Sequence, residues 1–366
     1  MKRPRILMIA PLPPPVHGSS MMTQYIKESE FINERIHMDW INLSTSRHMD
    51  EIGKKSFMKF WRFAFAYIKT IWNLLTHRYE ACYIAITCHG NGFLKDAPFA
   101  LLCKLFRCNL VIHQHNKGMA NDIDKPIYRW LFPLVYKNSK VILLSWHLYP
   151  DIQRIVNKEQ VAICPNGIPA TSQYSKNPHS IPQLLFLSNL IISKGVYTLL
   201  DACKIINDDG YDFVCRFVGG ETTEINKDTF NQEVIARGLE NKVFYVGKKY
   251  GEEKYLEFTN ADIFVFPTYY KNECFPLVLL EAMQQSIPVI STTEGGIPDI
   301  IDHDKNGLLV SPKNANDLAM KIEALINNPD MRRSIGINGF NKYKKNYTLD
   351  KFEENICREL LSVCNS

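Results

Sequence analysis

Residues Asp262–Val310 read DIFVFPTYYKNECFPLVLLEAMQQSIPVISTTEGGIPDIIDHDKNGLLV. The run Ile263–Phe266 is apolar throughout, as expected of a parallel strand covered by helices on both faces. It feeds a polar loop that ends at Glu273. Pro276 suits the first turn of a helix, where its missing N–H is not needed. Leu277–Gln285 then reads as a helix that carries Glu281 and stops before Pro288. The strand Val289–Ser291, a Gly295-Gly296 turn and the strand Leu308–Val310 follow. Strand, helix and strand in this order form the unit of a doubly wound α/β sheet.

The same alternation runs outward in both directions. Upstream of the linker, strand-like runs fall at Arg5–Ala10, Met38–Leu43, Ala81–Thr87, Leu110–Gln114, Val141–Ser145 and Val161–Cys164. Helical segments are expected over Ser20–Phe31, Phe57–Leu75, Phe93–Phe106 and Ile123–Tyr136. Pro165-Asn166-Gly167-Ile168-Pro169 interrupts the pattern, and polar sequence continues to Pro182. A second series holds Leu184–Leu187, Phe213–Val218 and Val243–Val246 before the opening stretch. The expected organisation is a Rossmann-like domain over 1–164, a linker over 165–182, a second Rossmann-like domain over 183–345, and a C-terminal helix over 346–366 that packs back toward the first domain. Two such domains are expected to face each other across a cleft lined by the carboxyl ends of both sheets, where open α/β sheets bind ligands.

Bulk properties exclude more than they assign. The chain has 366 residues, 46% apolar and 22% charged, with a net charge of +5. Nothing resembles paired Cys/His ligands or an RNA-binding aromatic pattern, so no nucleic-acid partner is expected. The ten cysteines show no C-x-x-C pair and read as small buried hydrophobes of a reducing compartment. No stretch reaches the roughly 18 apolar residues of a membrane span, and the apolar run after MKRPR is too short for a signal peptide. A cytoplasmic protein is expected, peripheral on the inner face of the plasma membrane if it touches lipid.

The chemistry-bearing residues lie at expected strand ends. The helix entered near Cys274, Phe275, Pro276 and Leu277 presents N–H groups and a positive dipole end suited to a phosphate. Glu273 at the loop tip and Glu281 two turns into the helix are hydroxyl acceptors among apolar neighbours. A ligand both hydroxyl-rich and phosphorylated, such as a nucleotide sugar, matches that set.

The E-C-F-P-L-V-L-L-E segment resembles the E-x7-E motif of retaining GT-B glycosyltransferases, particularly glycosyltransferase family 4. The P-V-I-S strand, E-G-G-I-P-D-I-I turn and N-G-L-L-V strand follow in the family's order. The resemblance implies that Glu273 contacts the donor sugar, Glu281 holds the nucleotide ribose, and Gly295 and Gly296 turn tightly near the donor. Leu187–Gly195 resembles the family's G-R-L-x-x-x-K-G element, with Lys194 on the diphosphate-binding lysine and Asn189 in place of the usual Arg. Leu110–Gly118 ends a strand with His113, His115 and a polar loop. His115 best takes the position of the family histidine near the transferred sugar, and His113 points the same way two residues earlier. Gly18, in a proline-stiffened loop, lets a ligand approach the backbone, with a neighbouring Ser expected to cap the helix. The implied reaction is retaining transfer without an obligatory metal or other cofactor, from a nucleotide-sugar donor to a glycan or lipid-linked acceptor, as in bacterial surface polysaccharide synthesis. Cys274 has no base beside it and is read as packing.

Residues 52–79 hold six Lys/Arg and no acid. Lys55, Lys59, Arg62 and Lys69 share one narrow arc of a helical wheel, opposite Phe57, Phe60, Trp61, Phe65, Ile68, Ile71, Trp72 and Leu75. Either the apolar face packs on the core behind a solvated basic face, or residues 54–75 meet an anionic membrane surface.

Rival functions find less support. A nucleotide-sugar epimerase shares the architecture alone, and a phosphorylase needs a cofactor lysine in a longer chain. A dinucleotide oxidoreductase needs G-x-G-x-x-G, where Ala10–Ser20 supplies one Gly. A non-catalytic nucleotide-sugar-binding protein is compatible with Asn189.

Overall fold

The computed structural model describes residues 3–44, 57–171 and 179–364. The chain divides into two compact units, Met1–Gly167 with Leu349–Ser366, and Ile168–Thr348. Lys54 and Lys55, and residues 172–178 of the expected linker, lie outside the described residues.

Among the described residues, the first unit holds a six-stranded sheet of β1 (Arg5–Ala10), β2 (His37–Asn42), β3 (Ala81–Ile86), β4 (Asn109–Gln114), β5 (Lys140–Leu143) and β6 (Val161–Ile163). Its order is β2-β1-β3-β4-β5-β6 and every pairing is parallel. Every residue of β3 is buried, so its continuous apolar run follows from helices on both faces. Helices Phe57–Thr76, Gly90–Leu105 and Pro126–Tyr136 connect β2 to β3, β3 to β4 and β4 to β5. All three crossovers step the same way along the sheet, and right-handed crossovers therefore place them on one face. The C-terminal helix Leu349–Cys364 contacts β3, β4 and the short helix Glu30–Asn33. Lys140 ties it down through an ion pair to Glu359 at 2.5 Å.

The second unit holds β7 (Gln183–Leu187), β8 (Val214–Val218), β9 (Val243–Gly247), β10 (Ile263–Phe266), β11 (Val289–Thr292) and β12 (Leu308–Val310), in the order β12-β11-β10-β7-β8-β9. This sheet is also parallel throughout. Ile168 is integral to this unit: its N–H donates to Tyr347 O at 3.0 Å, and it bridges Thr348.

Local differences from the sequence reading have local causes. The helix expected over Ser20–Phe31 is two, Gly18–Glu28 and Glu30–Asn33. Ser29 leaves the helical region and its Oγ accepts from Ile32 N at 3.1 Å, capping the second. The cap of the first is His17 rather than Ser: its Nδ1 accepts from Ser20 N at 3.3 Å, and Ser20 Oγ accepts from His17 N at 3.0 Å. Pro276 sits one residue before the helix Leu277–Gln284, not inside its first turn.

Candidate active site

In each sheet the direction in which successive strands are added reverses between two neighbouring strands, and ligands gather at the carboxyl ends of such a pair. In the second unit the pair is β7 and β10, joined in register at Ile263–Leu184 and Phe264–Leu185. The loop after β7 carries Lys194; the loop after β10 carries Glu273.

Gly195 brings the two loops together. Its φ is +90°, and a Cβ there would lie 2.3 Å from Pro267 O. Only glycine allows that approach, and Tyr269 N–H donates to Ser193 O across it at 2.8 Å. Lys194 Nζ consequently reaches Glu273 Oε2 at 2.6 Å, with Thr268 Oγ1 3.3 Å from the same oxygen. The Tyr270 ring centroid lies 4.6 Å from the ammonium, close enough to stabilise it by cation–π attraction. Glu273, expected at the loop tip among apolar neighbours, is buried.

A second close approach holds Glu273 from behind. Gly295 has φ +57°, and a Cβ on it would fall 2.1 Å from Glu273 O. Gly296 N–H donates to Cys274 O at 2.7 Å. The turn after β11 thus clamps the backbone that enters the 277–284 helix. Cys274 and Phe275 are buried, and Phe275 packs edge-on against Tyr347 at 5.7 Å. Leu277 opens the helix.

Glu281 is buried in that helix, and Lys254 Nζ donates to its Oε1 at 2.6 Å. Its Oε2 is shielded from solvent and accepts no hydrogen bond from the described residues. Burial pushes the Glu281 carboxyl above its ordinary value, with Lys254 pulling it part of the way back. A buried oxygen with an unused acceptor capacity is a costly feature unless a ligand or water satisfies it.

Asn189, where the resemblance expects an Arg, is exposed, and its Oδ1 accepts from Gly220 N–H at 3.1 Å. Lys248, just past β9, crowds the same point: a Cβ built on Gly220 would meet Lys248 Cε at 2.3 Å, Asn189 Oδ1 at 2.9 Å and Lys248 Nζ at 3.3 Å.

In the first unit the reversal lies between β1 and β3. His17 and Gly18 follow β1, His113 lies near the end of β4 and His115 just follows it. His113 is fully buried and hydrogen-bonded through Nδ1 to Tyr83 Oη at 2.8 Å. His115 packs against it with ring centroids 4.1 Å apart and planes tilted by 41°, and both its ring nitrogens are shielded and unpaired among the described residues. Burial pushes the His115 pKa down to about 3, and His17 adds to the effect. The imidazole is therefore neutral at physiological pH, able to donate one hydrogen bond and accept another. Gly18 begins its helix with open space around it, no atom lying within 4 Å of a Cβ placed there.

The structure joins Lys194 to Glu273 and sets His113 against His115. Sequence reading did not find Thr268, Tyr270, Lys248 or Lys254. Lys254 lies on the helix Gly251–Thr259 in a G-E-E-K run that resembles any solvated helix start. Lys248 carried a positional signal only, following a strand that neighbours the Asn189 strand through β8.

Known proteins similar to this chain are glycosyltransferases. Residues 169–342 match the family described as glycosyl transferases group 1. The chain is 29% identical over 224 residues to an uncharacterized glycosyltransferase of Methanocaldococcus jannaschii, covering 61% of this chain and 60% of that protein. It is 28% identical over 181 residues to the capsular polysaccharide biosynthesis glycosyltransferase CapM of Staphylococcus aureus, covering 50% of this chain and 45% of CapM. The aligned regions thus span about half to three-fifths of these relatives' length. HepE of Anabaena, solved with UDP and glucose, superposes with a TM-score of 0.73 at 18% identity, covering 98% of this chain and all of HepE. That likeness shows the two-domain α/β fold of GT-B glycosyltransferases. The similarity to the glycosyl transferases group 1 family thus lies in residues 169–342.

Proposed function

We propose that this chain is a retaining glycosyltransferase of the family 4 type, transferring a sugar from a nucleotide-sugar donor to a glycan or lipid-linked acceptor in bacterial surface polysaccharide synthesis. The observation that carries the reading is the 2.6 Å contact between Lys194 and Glu273. It sets a cation beside a buried hydroxyl acceptor, as a sugar joined to a diphosphate requires. Lys194 and the amino end of the 277–284 helix stabilise the leaving diphosphate. Glu273 accepts from the donor-sugar hydroxyls, and Glu281 receives the ribose hydroxyls at its unpaired Oε2. Lys248 supplies the second cation that Asn189 cannot. Neutral His115 bonds a hydroxyl of the transferred sugar. The acceptor hydroxyl attacks from the face the diphosphate leaves, so configuration is retained, and no step calls on a metal. CapM's role in capsule synthesis and the UDP bound to HepE support the acceptor and donor classes. The place proposed for the enzyme is the cytoplasm, at the inner face of the plasma membrane.

The test is a panel of nucleotide sugars incubated with polyprenyl-phosphate-linked and soluble glycan acceptors, product configuration being read by NMR. Wild type should transfer from at least one donor, with Glu273→Ala and Lys194→Ala reduced at least a hundredfold. Equal turnover by all three, or an inverted product, would refute the assignment. Binding of a donor without any turnover would identify a non-catalytic sugar-nucleotide-binding protein.

A further inference from the structure

The helix Phe57–Thr76 does not pack as an ordinary core helix. Its buried residues are Ala66, Thr70 and Leu74, with Phe63 and Tyr67 each edge-on to Phe99 at 5.4 Å. Phe57, Trp61, Phe65, Ile68, Trp72 and Leu75 are between 57% and 77% exposed. At 3.6 residues per turn these six fall within an arc of about 80°, opposite the buried side. Of the two alternatives for this helix, the one that packs the aromatic face on the core is not what forms: the face is exposed. The neighbouring 90–105 helix buries seven of its sixteen residues, and beyond it the 126–136 helix exposes Ile127, Trp130 and Leu134 by 52% to 77%. The 90–105 helix contacts both outer helices, so two apolar ridges flank it on one face of the sheet.

We propose that these two ridges form a platform that lies on an anionic phospholipid bilayer. Charge argues for that occupant. Neither helix contains an acidic residue, while Arg62 and Lys69 lie on the flank next to the first stripe and Arg129 lies on the second helix. Lys69 Nζ also donates to Trp40 O at 3.2 Å, which fixes its position along the stripe. Basic residues beside a Trp- and Phe-rich face match a bilayer interface, where the rings enter the headgroup boundary and the cations meet lipid phosphates. A second copy fits less well: two-fold pairing of the stripes would oppose like charges with no acid between them. None of the described helices is long and apolar enough to cross a membrane, so the platform lies on the surface.

The full chain should co-sediment with phosphatidylcholine vesicles containing phosphatidylglycerol and much less with phosphatidylcholine alone. Its tryptophan fluorescence should be quenched by brominated acyl chains. Neutralising Arg62 and Lys69 together to Gln should lower partitioning roughly 25-fold, about fivefold per cation at an anionic surface. Trp61→Ser/Trp72→Ser and Trp130→Ser should each weaken binding and reduce quenching, with unfolding temperatures unchanged because these side chains are solvent-exposed. Absence of binding to anionic vesicles at low salt overturns the proposal. So does binding that the tryptophan substitutions leave intact, or a solution dimer that Trp61→Ser dissolves.

Discussion

Replacing Lys254 with Met tests the pair at the heart of the second unit. Lys254 is the one protein partner of the buried Glu281 carboxylate among the described residues, at 2.6 Å. Removing one partner of a buried pair typically costs about 3–5 kcal/mol. The side chains here keep 23% and 11% of their surface exposed, so water reaches the pair and the low end, about 3 kcal/mol, applies at pH 8. The carboxyl escapes part of this cost by binding a proton. Burial already raises Glu281 above its ordinary value of 4.5, and loss of the ammonium raises it further. A raised carboxyl favours the folded state when protonated, so its stabilising contribution is complete below the unfolded value and lost as pH climbs through the folded one. The gap between wild type and Lys254→Met should therefore be about 1 kcal/mol near pH 4.5, the worth of the lost hydrogen bond. It should widen with rising pH and level off. Urea denaturation of both proteins from pH 4.5 to 8 reads the gap directly. Glu281→Gln added to Lys254→Met should recover most of the loss at pH 8. A gap that does not change with pH, or a double variant no more stable than the single one, would refute the reasoning.

Gly295→Ala should destabilise by at least about 1–2 kcal/mol, because L-residues resist its positive φ, and should displace Glu273 so that transfer falls more than tenfold. Gly18→Ala, with nothing within 4 Å of the added carbon, should leave thermal stability within about 0.5 kcal/mol. The His115 pKa of about 3 against an ordinary 6.5 means the unfolded chain binds the extra proton as pH falls. Stability should therefore drop by about 2 kcal/mol between pH 6.5 and 5 through this residue, and His115→Asn should flatten that part of a pH–denaturation profile. Lys248→Ala should weaken nucleoside diphosphate binding about tenfold by calorimetry, the order of one charge-assisted contact; unchanged affinity would show that Lys248 does not replace the absent Arg.

The fold was legible because its signals are local. The strands at Arg5–Ala10 and Ile263–Phe266 stand where the apolar runs Ile6–Ala10 and Ile263–Phe266 do, since strand positions buried on both faces of a covered sheet favour apolar residues. The glutamates and Lys194 were legible by their place after such strands. The Lys194–Glu273 contact, 79 residues apart in sequence, required β7 and β10 to become neighbours and Gly195 to let their loops touch. Lys254 and Lys248 were hidden because a lysine becomes a partner only through what tertiary packing sets beside it. The Phe57–Thr76 helix shows the same limit. Its sequence determined a helix with an apolar stripe and a basic side, but such a stripe serves equally well against a protein core and against a bilayer. Which face met the protein was decided by the 90–105 helix, whose Phe99 takes Phe63 and Tyr67 and leaves the tryptophans outside.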